Sequence, residues 1–556
     1  MDLEIPQGKR TAKYRFFEIL PATISYGIIL LLVVLSLINP TLGAIYLLII
    51  VITMLIKAVG IAYRTIEGNS VLKAAMRVEW AKRLADLEHP KDSYARLHGS
   101  RSNSFHFSQH VENLRFIAAA ESDFFPKPSQ IYNAVIIAMY NEDLDVLEPT
   151  IESVLNTTYP SQQLIIVLAY EERAGIEAEN RAKALQRSYS SKFHEFLIAK
   201  HPANIEGEII GKGGNITYAG KYLKKYLDDH DIKYHNVIVT TLDSDNRPHK
   251  SYFDYVTYEY IRHEDRKHLA YQPISLFTNN IWDAPAPMRI IATSNSFWNI
   301  ISSMRPHSLR NFAAHAQPMD ALVEMNFWST KTIVEDGHQF WRSYFYFDGN
   351  YAVLPIHVPV YQDAVMSFSF FKTLKAQFVQ LRRWGYGASD VPYVANMLFS
   401  RKRSVPLLDG LSKFWRLIDG HVTLASISLI IAFGGWIPLI VNTNSYNNLV
   451  AHRLPVIVSN IQMVALIGLL ITVMFSIKIL PQRPKRYKRT KNIAMVLQWI
   501  LVPITAILYN SFASLYSQTR LALGKYMDEF DVTDKATYEN QTKHHKTNHS
   551  ILEKNQ

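Results

Sequence analysis

Five long stretches that carry almost no charge limit what this chain can become more than any other feature. They cover residues 19–38, 42–62, 421–441, 456–480 and 493–515. A helix needs about twenty apolar residues to cross the hydrocarbon core of a bilayer, and a backbone in lipid must satisfy its own hydrogen bonds. The expectation is a multi-pass protein with its remaining sequence in water. A secretory signal peptide would also explain the first run, but no small-residue cleavage pattern follows it. Instead Asn39-Pro40-Thr41 leads straight into the second run, which reads as a helical hairpin whose one charge, Lys57, can snorkel toward the side of Arg64. Lys9, Arg10, Lys13 and Arg15 before the first run, and the basic cluster from Arg483 to Lys491, mark cytoplasmic segments. Five spans starting inside place the tail after Ser517 outside. Pro503, which could fold the last run into a re-entrant hairpin, and Arg520 and Lys525 point the other way.

Composition narrows the partners. The formal net charge of +11 would suit nucleic acid, but much of the positive charge is juxtamembrane, which suits lipid and leaves a nucleic-acid role little support. The chain has 0 cysteines, so disulfides and thiolate metal sites are excluded. Its 9 Trp, 31 Tyr and 27 Phe suit membrane interfaces and the faces of sugars.

Between the apolar runs the sequence alternates short apolar strands with amphipathic helices. Residues 131–139, 164–169, 196–199 and 237–242 read as strands, and 146–155, 177–187 and 216–227 as helices, with 211–215 as a glycine loop. Each strand ends in polar residues, as in an open, mainly parallel α/β sheet that binds ligands at its carboxyl end. Around it, residues 71–87 read as helical, and 368–380 and 393–399 as helices lying at a membrane surface. The chain accordingly divides into a basic cytoplasmic N-terminus (1–18), a transmembrane hairpin (19–63), a helical linker (64–128) and an α/β domain (129–364). Interfacial helices (365–419), three further spans with a basic loop (420–516, loop 481–491) and a polar tail (517–556) follow.

Chemistry concentrates at a few positions. Asp243-Ser244-Asp245 closes the 237–242 strand, and two carboxylates one residue apart suit a hard ion, Mg²⁺ or Mn²⁺, that keeps positions open for diphosphate oxygens. A solvated turn is the plain alternative for this triplet. Glu335-Asp336 follows the apolar run 331–334; at a strand end in an aromatic pocket, Asp336 could take a proton from a hydroxyl, whereas in the first turn of a helix it would need no such role. Nearby His338 reads as structural. Gln380-Leu381-Arg382-Arg383-Trp384 places Gln380, Arg383 and Trp384 close together on a helix, with a fork for phosphate and a flat ring for sugar. A basic-aromatic membrane stripe is its plain alternative. Gly211-Lys212-Gly213-Gly214-Asn215 fails the spacing of an ATP-binding phosphate loop, so an ATP-driven transporter is not indicated.

Taken in order, Ala138-Met139-Tyr140-Asn141-Glu142, Lys212, Asp243-Ser244-Asp245, Glu335-Asp336 and Gln380-x-x-Arg383-Trp384 resemble the membrane-integrated family 2 glycosyltransferases, over residues 132–394. The resemblance implies a GT-A nucleotide-diphospho-sugar transferase domain between membrane helices. It implies inverting transfer of a hexosyl or N-acetylhexosaminyl group from a nucleotide sugar, commonly a UDP-sugar, to a polysaccharide or lipid-linked acceptor, on the cytoplasmic side of the cell membrane. On that pattern Tyr140, Glu142, Glu171, Lys212, Asp243, Gln380 and Arg383 bind the donor, and Asp243 and Asp245 hold the metal. Asp336 is the base and Trp384 floors the acceptor site. Two segments depart from it: Ala169-Tyr170-Glu171-Glu172 replaces the usual Asp-Asp, and Thr293-Ser294-Asn295-Ser296-Phe297 lacks the usual Gly-Ser or Gly-Thr. Processive synthesis, single-sugar addition and, outside the enzymes, a transport or assembly scaffold remain as alternatives.

Overall fold

A computed structural model describes residues 3–121, 124–443 and 448–528, without the side chains of 465, 466 and 469. The first two apolar runs form a helical hairpin, α1 (Ala12–Ile38) and α2 (Pro40–Met76). Its corner follows from three residues. Asn39 accepts from Thr41 N at 2.9 Å as the N-cap, and Pro40 supplies a fixed φ where no N–H is needed. A side chain on Gly43 would meet Ser36 Oγ at 2.1 Å, so glycine lets the helices close on each other. With 37 residues, α2 is about 55 Å long at 1.5 Å per residue, and it extends beyond a bilayer core into the linker. The expected 71–87 helix is in fact the end of α2 and a separate helix, Trp80–Asp86.

The α/β domain is built on an eight-stranded sheet. Its strands are β1 (Tyr132–Met139), β2 (Leu164–Glu171), β3 (Glu195–His201), β4 (Val237–Asp243), β5 (Arg247–Pro248), β6 (Leu269–Phe277), β7 (His315–Pro318) and β8 (Ala352–Gln362). The order is β3-β2-β1-β4-β7-β6-β8-β5, with β1 to β4 parallel and β7 antiparallel to its neighbours β4 and β6. All eight residues of β2 are buried, which explains a nearly continuous apolar strand: a parallel sheet covered by helices has no wet face. Strand order reverses between β1 and β4, and the crevice beyond their carboxyl ends is where such sheets bind ligands. This is the mainly parallel α/β architecture expected of a GT-A domain, inserted between apolar helices.

Among the described residues, four helices are long and apolar enough to cross a membrane: Ala12–Ile38, Pro40–Met76, Leu407–Val441 and Thr490–Ala522. The expected span 456–480 falls on helix Leu449–Ile479, which packs along α2. The last of the four has an unusual position. Just before it, Arg486 and Tyr487 bind Asp283 at 2.7 and 2.6 Å and Trp282 Nε1 donates to Pro481 O at 3.0 Å. Along it, Arg289 Nε donates to Gln498 at 2.5 Å, Tyr509 to Leu374 O at 3.4 Å, and Ser517 to Arg382 O at 2.5 Å. Past its end, Arg15 donates to Leu521 O at 3.2 Å and Met527 N to Tyr386 OH at 3.3 Å. Ile493, Leu497, Ile500, Ile504 and Leu508 form an exposed stripe on the opposite face. The segment is held by the α/β domain near its start and further on by helix Phe370–Gly385, α1 (Ser25 to Gln518 at 2.8 Å) and helix Leu407–Phe433 (Gln518 to His421 O at 3.0 Å). It turns one apolar face outward, and residues 521–528 lie beside the start of α1. The sequence leaves the side of the tail open, and this nearness to α1 accords with the reading of Pro503, Arg520 and Lys525.

A second expectation is corrected nearby. Helix Asp390–Leu398 was expected at a membrane surface, but Val391, Tyr393, Val394, Ala395 and Leu398 are buried inside the protein. Exposed apolar rings at Phe370 and Phe371 begin helix Phe370–Gly385, which does present a surface face. The N-terminal segment is also built in. Leu3 and Ile5 are buried, Tyr393 OH donates to Leu3 O at 3.1 Å, and Glu4 accepts from Ser329 Oγ at 2.5 Å while pairing with Arg342 at 2.9 Å.

Candidate active site

Lys212 stands at the centre of the crevice. The expected glycine loop is in fact the first turn of helix Lys212–Asp229, and its four leading residues are all buried. Sequence reading places glycines outside helices because they lower helix propensity. Here close approach overrides propensity: a Cβ on Gly213 would lie 2.5 Å from Ser329 O, and one on Gly214 2.9 Å from Glu208. Asn215 Nδ2 ties the turn to the sheet through Ala169 O at 3.0 Å. The helix N-terminus, with its unpaired N–H groups and positive dipole end, thus faces the carboxyl ends of β1 and β4.

Lys212 Nζ lies 2.9 Å from Asp243 Oδ1, 3.3 Å from Asp336 Oδ2 and 3.9 Å from Glu335 Oε1. Burial alone would lower its pKa, but Asp243, Asp336 and Glu335 outweigh that and hold it above the ordinary lysine value. Glu335 responds in the opposite direction. Burial first, and then the charge of Asp336, push its pKa up to about 8 against the pull of Lys212. Both carboxylates belong to helix Glu335–Tyr346. The run 331–334 is not a strand, and Asp336 is a first-turn helical residue; its role therefore rests on its neighbours and not on a strand end. Residues 329–334 are pinned by side chains instead of a sheet partner, with Ser329 Oγ accepting from Lys331 N at 3.2 Å and Thr332 Oγ1 from Val334 N at 3.3 Å.

His315, which carries no signal in the sequence beyond its type, stands behind Asp336. It is fully buried, with Nδ1 3.8 Å from Asp336 Oδ1. Trp328 Nε1 donates to its Nε2 at 3.3 Å, which assigns the proton to Nδ1, donating to Phe312 O at 2.8 Å. Burial lowers its pKa, so it stays neutral. His338, by contrast, lies in the core against Asp390 at 2.7 Å, in the structural role expected for it.

The β1 side of the crevice is organised by Glu142. It accepts from Tyr140 N at 2.7 Å and from Ser244 Oγ at 3.0 Å, so the turn after β1 is fastened to the Asp243-Ser244-Asp245 turn. Asp245 is buried and accepts from Asp363 N at 3.0 Å. Glu171 is paired with Arg173, whose guanidinium lies 4.7 Å from the centre of the Tyr140 ring. That packing sets Arg173 beside Tyr140 and Glu171, a neighbour the sequence reading missed. Gln380 accepts from Gln377 Nε2 at 3.0 Å, and Arg383 is close enough to Glu335 to oppose the rise in its pKa. Trp384 is 39% exposed, with its ring 6.3 Å from that of Phe277. The structure thus brings Lys212, Asp243, Glu335 and Asp336 into direct contact, with Arg383 nearby. Tyr140, Glu142 and Glu171 stand together at the carboxyl ends of β1 and β2.

For a metal, the donor set is hard: two carboxylates in a chain without thiols. No group of three or more His, Asp or Glu converges on a point among the described residues. That suits an ion held by one or two carboxylates plus substrate phosphates, the usual habit of Mg²⁺, better than a closed protein cage.

No protein-family model matches the sequence, and no curated protein matches it. Similar solved structures include the mannosyltransferase PcManGT from Pyrobaculum calidifontis in complex with GDP-Man and Mn²⁺. It is 13% identical over 81% of this chain and 99% of that one, with a TM-score of 0.39. S. aureus TarS 1–349 is 11% identical over 73% of this chain and 95% of that one, TM-score 0.33. Its complex with UDP-GlcNAc is 12% identical with the same coverage and score. Similarity at this distance transfers no residue role.

Proposed function

We propose that the chain is a membrane-bound glycosyltransferase that moves a sugar from a nucleotide-diphospho-sugar to an acceptor hydroxyl with inversion. The observation that carries this reading is the contact of one buried lysine with carboxylates from two sides of the crevice, Asp243 after β4 and Asp336 on the far helix. The donor lies across the turns after β1 and β4, its nucleotide near Tyr140, Glu171 and Arg173 and its diphosphate toward Lys212 and Arg383. A divalent ion bound by Asp243 and Asp245 would supply Lewis-acid stabilisation of the departing diphosphate. The acceptor hydroxyl gives its proton to Asp336 as its oxygen bonds to the anomeric carbon from the face opposite the leaving group. The bond between that carbon and the diphosphate oxygen breaks, and the electron pair leaves with the diphosphate. Trp384, exposed beside Phe277, offers the acceptor sugar a stacking face.

The test is a panel of nucleotide sugars including UDP-GlcNAc and GDP-Man, assayed in membranes with and without Mg²⁺ or Mn²⁺. Metal-dependent transfer or hydrolysis of one donor is expected; no binding of any donor would favour a non-catalytic scaffold. The small number of apolar helices among the described residues leaves little material in one chain to line a polymer channel, which supports single-sugar addition over export of a polymer. A ladder of long products would overturn that part alone.

A further inference from the structure

Away from the crevice, three arginines from distant parts of the chain meet at the inner end of the apolar helices. On α2, Gly60, Arg64 and Gly68 follow at intervals of four and share one face. A Cβ on Gly68 would meet Ile300 at 2.6 Å and Met304 at 3.1 Å, so this face lies directly against the end of helix Ala286–Ser303, and Arg305 follows Met304. From a third direction, Arg416 on helix Leu407–Phe433 reaches His307 O at 3.5 Å.

Among the described residues no carboxylate forms an ion pair with these three arginines, although Asp409 lies near enough to Arg416 to feel its charge. Two lysines around the cluster have carboxylate partners, Lys57 with Asp419 at 3.2 Å and Lys413 with Asp409. Arg64 and Arg416 reach only main-chain carbonyls among the described residues, Gly60 O at 3.2 Å and His307 O at 3.5 Å. Arg305 Nε is buried with no hydrogen-bond partner among them. Partial burial, and then Arg64 and Arg416, lower the pKa of Arg305. His307 is lowered in the same way by burial and by Arg416, Arg305, Arg64 and Lys413. Gathering like charges in this way costs free energy unless an anion joins them.

The depth of the cluster identifies the anion's source. Tyr63 and Trp415, next to Arg64 and Arg416 in sequence, are 66% and 69% exposed, as rings of an interfacial belt are. Toward the hydrocarbon side the surface turns apolar at Ile56 and Leu424, beyond the Lys57–Asp419 pair. We infer that Arg64, Arg305 and Arg416 form a binding site for the phosphate of an anionic lipid headgroup at the cytoplasmic face, between α2 and helix Leu407–Phe433. The segment after Arg305 leads to Ala313, whose carbonyl accepts from Lys212 Nζ at 3.4 Å, so an occupied site would steady one wall of the crevice. The site stands on the membrane placement of these two helices and is independent of sugar transfer.

The test uses the full chain in neutral detergent, with thermal unfolding followed as phosphatidylglycerol, phosphatidylcholine or inorganic phosphate is added. Phosphatidylglycerol should raise Tm in a saturable way, and the other two should not. With each cation near the surface contributing about a fivefold preference, Arg416→Gln should weaken the phosphatidylglycerol effect about fivefold, and the triple Gln variant at 64, 305 and 416 on the order of a hundredfold. Arg416 is exposed, so its variant keeps the test valid if the triple variant fails to fold. The site is overturned if Arg416→Gln keeps wild-type lipid affinity. It is also overturned if Lys485→Gln/Arg489→Gln, in the basic loop, loses as much affinity as the triple variant, which would indicate diffuse attraction. Equal protection by inorganic phosphate would overturn the lipid as its source.

Discussion

Lys212 has to neutralise more than one carboxylate at once. Replacing it with Met leaves Asp243, Glu335 and Asp336 repelling one another in a buried crevice. The expected loss is about 3–5 kcal/mol, the usual cost of removing one partner from a buried pair, read as a lower Tm together with lost donor binding. Asp336→Asn should behave differently, cutting transfer by about 10²–10⁴-fold while donor affinity stays within a few-fold. Full activity in that variant would move the base elsewhere. Glu335 gives a pH signature. Its folded pKa, about 8, lies above the ordinary carboxylate value, so the folded state holds an extra proton between the two. Its contribution to stability is therefore complete below about pH 4.5 and is lost as the pH rises through 8. Wild-type Tm should fall over that window, and Glu335→Gln should flatten the slope. Lys212, Asp243 and Asp336 were legible in the sequence because each sits in a short motif with its own chemistry. His315 and Arg173 were not: one is defined by Trp328 and Phe312, the other by stacking on Tyr140, and neither relation leaves a local pattern.

At the scale of elements, what sequence conveyed depended on whether local preference and tertiary contact agreed. The strands that became β1, β2 and β4 were plain, because burial on both faces demands a continuous apolar run. The glycines after Gly211 were read as a loop, although they start a helix whose first turn is pressed against Ser329. Gly213→Ala should cost about 1–3 kcal/mol, typical of overpacking, and should displace the helix start that carries Lys212. A loss of donor affinity greater than that of Gly337→Ala, where a Cβ meets nothing within 4 Å, would confirm that the close approach matters. Residues 331–334 were misread for the converse reason: they are apolar enough for a strand, but no neighbouring strand is available, and Ile333 is buried against Tyr386 and Leu521 instead.

For the molecule as a whole, residues 521–528 lie beside the start of α1, with Arg15 donating to Leu521 O at 3.2 Å, which predicts that the described C-terminal residues share a compartment with the N-terminus. With 0 native cysteines, single cysteines placed at Lys9 and Lys525 can report this directly. In sealed vesicles an impermeant thiol reagent should label both or neither; opposite labelling would restore a fifth crossing. The sequence left this open because length and hydropathy are the same for a helix that crosses and one that lies along a domain. The buried N-terminal segment has a further consequence, in time. Leu3 and Glu4 are held by Ser329, Arg342 and Tyr393, and Tyr393 is made 390 residues after Leu3. At about 5–20 residues per second, the ribosome takes roughly 20–80 s to reach their last partner. Throughout that interval α1 and α2 are available for insertion while the leading segment waits in solvent. A bulky fusion ahead of Leu3 would have to be accommodated in that late docking step, so amino-terminal fusions should lower the yield of folded protein where carboxyl-terminal ones do not.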